Sequence, residues 1–259
     1  MNTIDPKLEA FGRLLKIMDE LREQCPWDKA QTMESLRHLT IEEVYELADA
    51  ILAGDTEEVK KELGDILLHI VFYARIGSET QLFDIESVIN QVCEKLIHRH
   101  PHIYGEVKVG SAEEVAKNWE QLKLKEGKKS VLEGVPNSLP SLIKSMRIQD
   151  KARSAGFDWE EQEQVLDKVE EELRELRAEI RSGNIDRIRA EFGDLMFSMV
   201  NLSRFLDVNP DEALERTNGK FIARFQYLEN AARQNGKNLR DMSLDEMDVF
   251  WNEAKSKGL

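Results

Sequence analysis

Apolar residues recur at intervals of three and four along most of the chain, the spacing that lines one face of a helix. Leu8, Phe11, Leu15, Met18 and Leu21 predict an amphipathic helix over residues 6–23, broken by Cys25-Pro26-Trp27-Asp28. Thr40 to Tyr73 predicts two helical arms joined by a turn at Gly54-Asp55. Ile85, Val88, Val92 and Leu96 mark the buried face of a helix over 84–99, which ends at Arg99-His100-Pro101-His102 because proline stops it. Ser111 and Glu114 form a capping box for a helix reaching about Lys125. After a breaker-rich stretch come a helix over 140–154, another with Asp158 and Glu161 as cap residues, a second arm, a helix over 211–235, and a last one capped by Ser243 and Glu246. Alternating β-branched runs are few, and the six prolines disfavour sheets. The pattern is all-α.

Glycine and proline are dense over Glu126–Ser130 and Gly134–Pro140, which sets a linker at 127–139 between an N-terminal unit, 1–126, and a C-terminal unit, 140–259. The two units are copies. Residues 169–205 repeat the Thr40–Tyr73 stretch at a constant offset of 129, so Glu43, Glu46, Glu62 and Asp65 recur as Glu172, Glu175, Glu191 and Asp194. Glu42 recurs as Glu171, Gly54 as Gly183 and Gly64 as Gly193. Apolar positions change identity between the copies, as Leu63 to Phe192 and Ile70 to Met199, whereas the acids and glycines do not.

Within each copy the acids are spaced for convergence. Glu43 and Glu46 are three residues apart, as are Glu62 and Asp65, so each pair shares a helix face. Gly54 is the midpoint: Glu46 precedes it by eight residues and Glu62 follows by eight, while Glu43 and Asp65 are each eleven away. Folded as an antiparallel hairpin, the inner pair lies about 12 Å from the tip, at about 1.5 Å per residue. The outer pair lies one turn further down. An E-x-x-E pair is ordinarily a solvated face, and Thr40 to Glu43 also fits a capping box. Two features point instead to a four-carboxylate site. The hairpin occurs twice, and Gly64 interrupts a helix where it costs about 1 kcal/mol against alanine, as if something approaches the backbone closely.

Composition narrows the partners. A net charge of −14 disfavours nucleic acid and anionic membrane, so an anionic ligand needs a metal ion or local basic groups. Cys25 and Cys93 form no disulfide framework, the start of the chain lacks a signal-peptide pattern, and the longest apolar run, Ile66 to Ala74, is too short to span a bilayer. These features predict a cytoplasmic protein. Ile66, Leu67, Ile70 and Val71, with Leu195, Met196, Met199 and Val200, offer apolar faces that a second copy would complete, which predicts a homodimer.

Basic and aromatic residues repeat outside the hairpins as well. Lys95 and Arg99 match Lys220 and Arg224, both pairs four apart; Trp119 follows Ser111 by eight residues and Trp251 follows Ser243 by eight. Lys220 and Arg224 are candidates for outer phosphates, with Asn218 beside them, and Trp251 for stacking on a base or filling a core. The clustered histidines of Arg99-His100-Pro101-His102 flank a helix break rather than forming a helical metal pair, and read as a helix end that could touch a phosphate.

E-E-x-x-E followed after a turn by E-x-G-D, twice, with R-H-P-H and C-P-W-D in the first copy, resembles the MazG family over essentially the whole chain. The resemblance implies tandem helical-bundle units of the all-α nucleoside triphosphate pyrophosphatase type. It implies Mg²⁺-dependent cleavage between the α and β phosphates to a monophosphate and pyrophosphate, broad base specificity, dimerisation, and a role in clearing or regulating nucleotide pools. The residues suit that chemistry on their own terms. Converging carboxylates raise one another's pKa, a divalent cation reverses this, and an all-oxygen ligand set favours Mg²⁺ or Mn²⁺. Glu172, Glu175, Glu191 and Asp194 are the expected ligands, and Glu171 accepts a proton from water or fixes a second ion.

The two cages are expected to be unequal. Lys168 lies four residues before Glu172 and Arg187 four before Glu191, bracketing the second cage with positive charge; their first-copy equivalents are Leu39 and Glu58. The C-terminal cage is therefore the expected active one, with Glu42, Glu43, Glu46, Glu62, Asp65, Lys95, Arg99 and Trp119 forming a weaker or structural counterpart. A di-iron bundle would need Glu-x-x-His motifs, but Asp65 and Asp194 stand at those positions. A helical dimerisation or adaptor module with vestigial acids is the non-enzymatic alternative.

Overall fold

The computed structural model describes residues 5–111, 114–115, 118–119, 122 and 130–259. The helix expected from Ser111 to Lys125 and the start of the 127–139 linker fall largely outside them. The chain divides into two compact units, Met1–Ser111 and Ala112–Leu259, and all regular structure among the described residues is helical.

The first unit contains α1 (Pro6–Gln24), α2 (Pro26–Ala30), α3 (Met33–Ala53), α4 (Thr56–Glu79), α5 (Ile85–Arg99) and the single turn α6 (Pro101–Tyr104). The second contains α7 (Ser141–Ser154), α8 (Gln162–Ser182), α9 (Ile185–Phe205), α10 (Pro210–Gln234) and α11 (Leu244–Ser256), with a 3₁₀ turn at Leu239–Asp241. Both breaker prolines open a new helix at its first position, where a missing N–H costs nothing.

Each unit is built on a hairpin, α3–α4 and α8–α9. The turns are alike because their chemistry is alike. Gly54 and Gly183 cap the first arms in the left-handed region, at φ +70° and +71°, which a Cβ would strain. The next residue starts the second arm: Asp55 Oδ1 accepts from the amides of Glu57 and Glu58, and Asn184 Oδ1 from those of Asp186 and Arg187. Met18 of α1, Leu36 of α3 and Val71 and Phe72 of α4 form the first unit's buried core. In the second, Val165, Leu176, Val200, Leu228 and Ala254 are buried.

Several local expectations are corrected. Thr40 is not a cap but lies inside α3, where its hydroxyl contacts Leu36 O and, at 2.8 Å, the Tyr73 hydroxyl of α4. The cap of α3 is Thr32, exchanging hydrogen bonds with Ser35. Asp158 caps nothing: Glu161 holds that position, and Asp158 pairs with Arg204 instead. Val92 and Leu96 of α5 are exposed rather than buried, and no residue of that helix is buried. Val71 and Val200 face inward within their own units, so only Leu67, Ile70, Met196 and Met199 of the named apolar faces are clearly exposed. A Cβ at Gly64 or Gly193 would meet nothing within 4 Å, so no group among the described residues makes the close approach their presence suggested.

The glycines separate cleanly by substitution. Gly183→Ala is expected to lose about 1 kcal/mol or more, because φ is positive there. Gly193→Ala, in open space in mid-helix, is expected to gain about 0.5–1 kcal/mol. Urea denaturation of the two variants beside the parent checks both signs.

Candidate metal and active site

The hairpins bring their acids together. In the first unit Glu43, Glu46 and Glu62, and in the second Glu172, Glu175 and Glu191, each offer a carboxylate oxygen within 4.8 Å of the other two. The fourth acids, Asp65 and Asp194, are not members of these triplets but stand close enough to act on them electrostatically. Glu62 and Glu172 are buried, whereas Glu46 and Glu175 are exposed, so each cage has a sheltered floor and an open side.

Crowding shows in the protonation equilibria. Glu191 is raised above the ordinary carboxylate range by desolvation first and then by Glu175, Asp194 and Glu172. Glu43 is raised likewise, by desolvation and then by Asp65, Glu62 and Glu46. Each cage also draws in one cation. Lys61 lies 2.9 Å from Glu62 and 3.2 Å from Glu58, and its hydrogen bond holds Glu62 below the usual range. In the second unit Lys168 lies 2.8 Å from Glu172 and 3.0 Å from Glu171. The side chains fit a hard divalent cation. The donors are all carboxylate oxygens, they are clustered on two facing helices, and their mutual repulsion is what such a charge relieves.

The other candidates are distributed unevenly. Arg187 pairs across the hairpin with Glu179 at 3.5 Å and is largely exposed. Beside the second cage lies a cavity of about 600 Å³, lined in part by Lys168, Glu172 and Asp194. Asn218, Lys220, Arg224 and Trp251 do not line it. On α10, Asn218 donates to Glu215, and Arg224 donates to Leu259 O at 2.7 Å. Trp251 of α11 packs in a local cluster, its ring 5.1 Å from Phe221 and 5.8 Å from the Arg224 guanidinium. In the first unit Glu42 and Lys95 are exposed and Arg99 is half-buried; Trp119, expected beside them, is half-buried but falls in the second unit.

The cavity's remaining walls were missed by sequence reasoning, because these positions belong to no charged motif of their own and come from three separate elements. They are Leu132, Ile148, Gln149 and Ala152 around α7, the 156–159 turn, and Phe197, Ser198 and Asn201 on α9. Arg204 ties them together. It binds Asp158 through two nitrogens, one at 2.7 Å, and donates to Asn201 Oδ1 at 2.7 Å. Burial alone would raise Asp158, but this guanidinium holds it below the usual range.

The MazG nucleotide pyrophosphohydrolase domain matches residues 31–104 and again 160–228, once over each hairpin. The chain belongs to the MazG family. It is 44% identical to the nucleoside triphosphate pyrophosphohydrolase/pyrophosphatase MazG of Thermotoga maritima, with 95% of both chains covered. It is 37% identical to the nucleoside triphosphate pyrophosphohydrolase of Escherichia coli K12, with 98% of both covered. A solved mazG-related protein from Thermotoga maritima shares 33% identity, covers 44% of this chain and 98% of its own, and superposes with a TM-score of 0.40.

The raised Glu191 makes the cage a source of pH-dependent instability. A carboxyl raised in the folded state is most favourable to folding when protonated, so that contribution is lost as pH climbs through its folded pKa. In metal-free protein Glu191→Gln is therefore expected to raise Tm at neutral pH and to leave it little changed at pH 4. It should also shrink the Tm increase produced by Mg²⁺. Thermal melts at both pH values, with and without the ion, check this.

Proposed function

We propose that this chain hydrolyses nucleoside triphosphates to a nucleoside monophosphate and pyrophosphate, with the cage of α8 and α9 as the working site. The observation that carries the reading is a clustered, cation-paired carboxylate site opening on a ligand-sized cavity, in a chain of the MazG family. Glu172, Glu175, Glu191 and Asp194 would hold Mg²⁺, with Mn²⁺ a substitute. The chemistry such an ion supplies is charge neutralisation on the phosphates and activation of water. Glu171 stands next to the ligand Glu172 and either accepts the proton of the attacking water or fixes a second ion. The water oxygen bonds to the α phosphorus, the bond from that phosphorus to the oxygen bridging to the β phosphorus breaks, and pyrophosphate leaves. Lys168, 2.8 Å from Glu172, would turn to a phosphate where a metal charge takes its place on that carboxylate.

The C-terminal cage is the better candidate for specific reasons. Where it has Lys168 the first hairpin has Leu39, which packs against the first unit's core. Where it has Arg187 the first has Glu58, and a carboxylate at contact range repels a phosphate by about 1 kcal/mol even in water. The first cage then serves as a weaker or structural copy. In this reading the protein is a cytoplasmic homodimer joined through faces that include the exposed Leu67, Ile70, Met196 and Met199. None of Asn218, Lys220, Arg224 and Trp251 lines the cavity of its own chain; in this reading Lys220 and Arg224, with Asn218 beside them, would meet the outer phosphates, and Trp251 would stack on the base or fill a core. Base specificity is broad, as suits clearing or regulating nucleotide pools.

With ATP and Mg²⁺ the expected products are AMP and pyrophosphate, resolved by chromatography; ADP and orthophosphate as primary products would sink the assignment. Glu172→Ala is expected to abolish pyrophosphate release and Glu43→Ala to leave most of it, both folded by circular dichroism. Equal loss in the two would remove the asymmetry. The adaptor alternative predicts no turnover of any triphosphate and no change in Tm with divalent ion. Sedimentation at micromolar concentration should give twice the 29.9 kDa chain mass, and a stable monomer would count against the dimer.

A further inference from the structure

Lys151 of α7 is 3% exposed, a burial that lysine rarely accepts without a partner. Its ammonium donates to Val131 O at 2.9 Å, twenty residues earlier in the chain. Nearer the start of the same helix, Lys144 donates to Asn137 O at 2.6 Å. Two lysines of one helix thus hold the segment that precedes it by its carbonyls. The segment is also folded on itself. The Leu132 amide donates to Ser130 Oγ at 3.2 Å, Glu133 N to Ser130 O at 3.1 Å and Val135 N to Leu132 O at 3.3 Å. Residues 130–135 are therefore a strap tied to α7, not a loose connection.

The first unit shows that the helix can be built without such a lysine. Leu15, Met18 and Asp19 of α1 line a cleft with Val71 and Arg75 of α4, and Met146, Gln149 and Asp150 of α7 line one with Val200 and Arg204 of α9. The two helices correspond, and the residue after the shared aspartate is Glu20 in one and Lys151 in the other. Glu20 is solvated, its side chain 55% exposed and 3.8 Å from Lys16. A buried ammonium at this position belongs to the second unit alone.

What the strap touches gives the lysine a use. Leu132 lines the cavity of about 600 Å³, as do Ile148 and Ala152 of α7 and Lys168, Glu172 and Asp194 around the cage. Val131, whose carbonyl Lys151 holds, is the residue before Leu132. Lys151 is not part of that lining, so it reaches the cavity through the strap.

We propose that Lys151 is a positioning residue of the pyrophosphohydrolase, holding the 130–135 strap so that Leu132 forms a fixed wall of the working cavity. The inference rests on the reading above, in which the second cage and its cavity are the active site. A charged donor suits the task, because a charge-assisted bond out of water is stronger than a neutral one and must fix a segment with no helix of its own. Without it the wall moves, water enters and contact with the substrate is lost. The acids stay in place on α8 and α9, so binding suffers and the chemical step does not.

The test uses two variants of the full chain. Lys151→Met removes the donor at similar length, and Leu132→Ala removes the wall but leaves the backbone contact. KM and kcat are read by pyrophosphate release from ATP with Mg²⁺ well below Tm, strap order by amide hydrogen exchange at residues 131–135, and cage integrity by the Mg²⁺-induced rise in Tm. Lys151→Met should speed exchange at the strap by about tenfold or more. Both variants should raise KM by about fivefold or more, leave kcat within about twofold and keep the Mg²⁺ rise. A purely structural lysine would lower Tm and leave KM alone. Parent-like KM in Leu132→Ala overturns the proposal, as does a folded Lys151→Met with parent-like KM or with strap exchange unchanged; if Lys151→Met does not fold, Leu132→Ala decides. A parent that hydrolyses no triphosphate overturns the pyrophosphohydrolase reading instead. Calorimetric affinity for α,β-methylene-ATP with Mg²⁺ then judges the strap, and a parent that does not bind that analogue either overturns both.

Discussion

Holding three carboxylates within 4.8 Å of one another is the constraint on which the rest of each unit depends. Like charges at that range resist folding, and burial of Glu62 and Glu172 adds a desolvation cost. The hairpin overcomes this by geometry. A left-handed glycine and a capping Asp or Asn fix the turn, so acids equally far from it in sequence meet at one level. A lysine is then drawn onto the buried acid of each cage, at 2.9 Å in one unit and 2.8 Å in the other. The strain that remains is the raised pKa of Glu43 and Glu191. A site arranged in this way is stabilised by positive charge, whether from lysine or from a metal ion.

The two copies solve the same electrostatic problem with different cations, and the difference has consequences. Lys61 comes from the second arm of its hairpin and reaches Glu62 beside it in sequence, leaving position 39 to leucine and the core. Lys168 comes from the first arm and lies at the edge of an open cavity, within reach of Glu171 and Glu172 together. One lysine meets its cage from an exposed position; the other stands at the edge of a cavity. Arg204 extends that arrangement by binding both Asp158 of the 156–159 turn and the Asn201 amide oxygen, so that one guanidinium joins two parts of the cavity's lining.

Much of this was legible in the chain itself. Helical spacing, the duplication at an offset of 129, the glycine midpoints and the acid pairs all depend on local geometry, which sequence spacing determines directly. They were sufficient to place Glu172, Glu175 and Glu191 together and to set Leu39 against Lys168. What the sequence does not determine is which neighbour each side chain meets. Asp158 reads as a cap and proves to be the partner of Arg204, forty-six residues away. Arg187 reads as a flank of the cage and pairs with Glu179 across the hairpin. The four acids read as equals, yet Asp65 and Asp194 stand outside the triplets. The cavity is the clearest case. Its walls come from α7, the 156–159 turn and α9, which no sequence spacing links, and only packing decides that Asn201 lines a cavity where the equivalent Phe72 is buried in a core. Spacing fixes which residues share a helix face; the choice of what that face meets is made by long-range packing, and a single chain's pattern does not encode it locally.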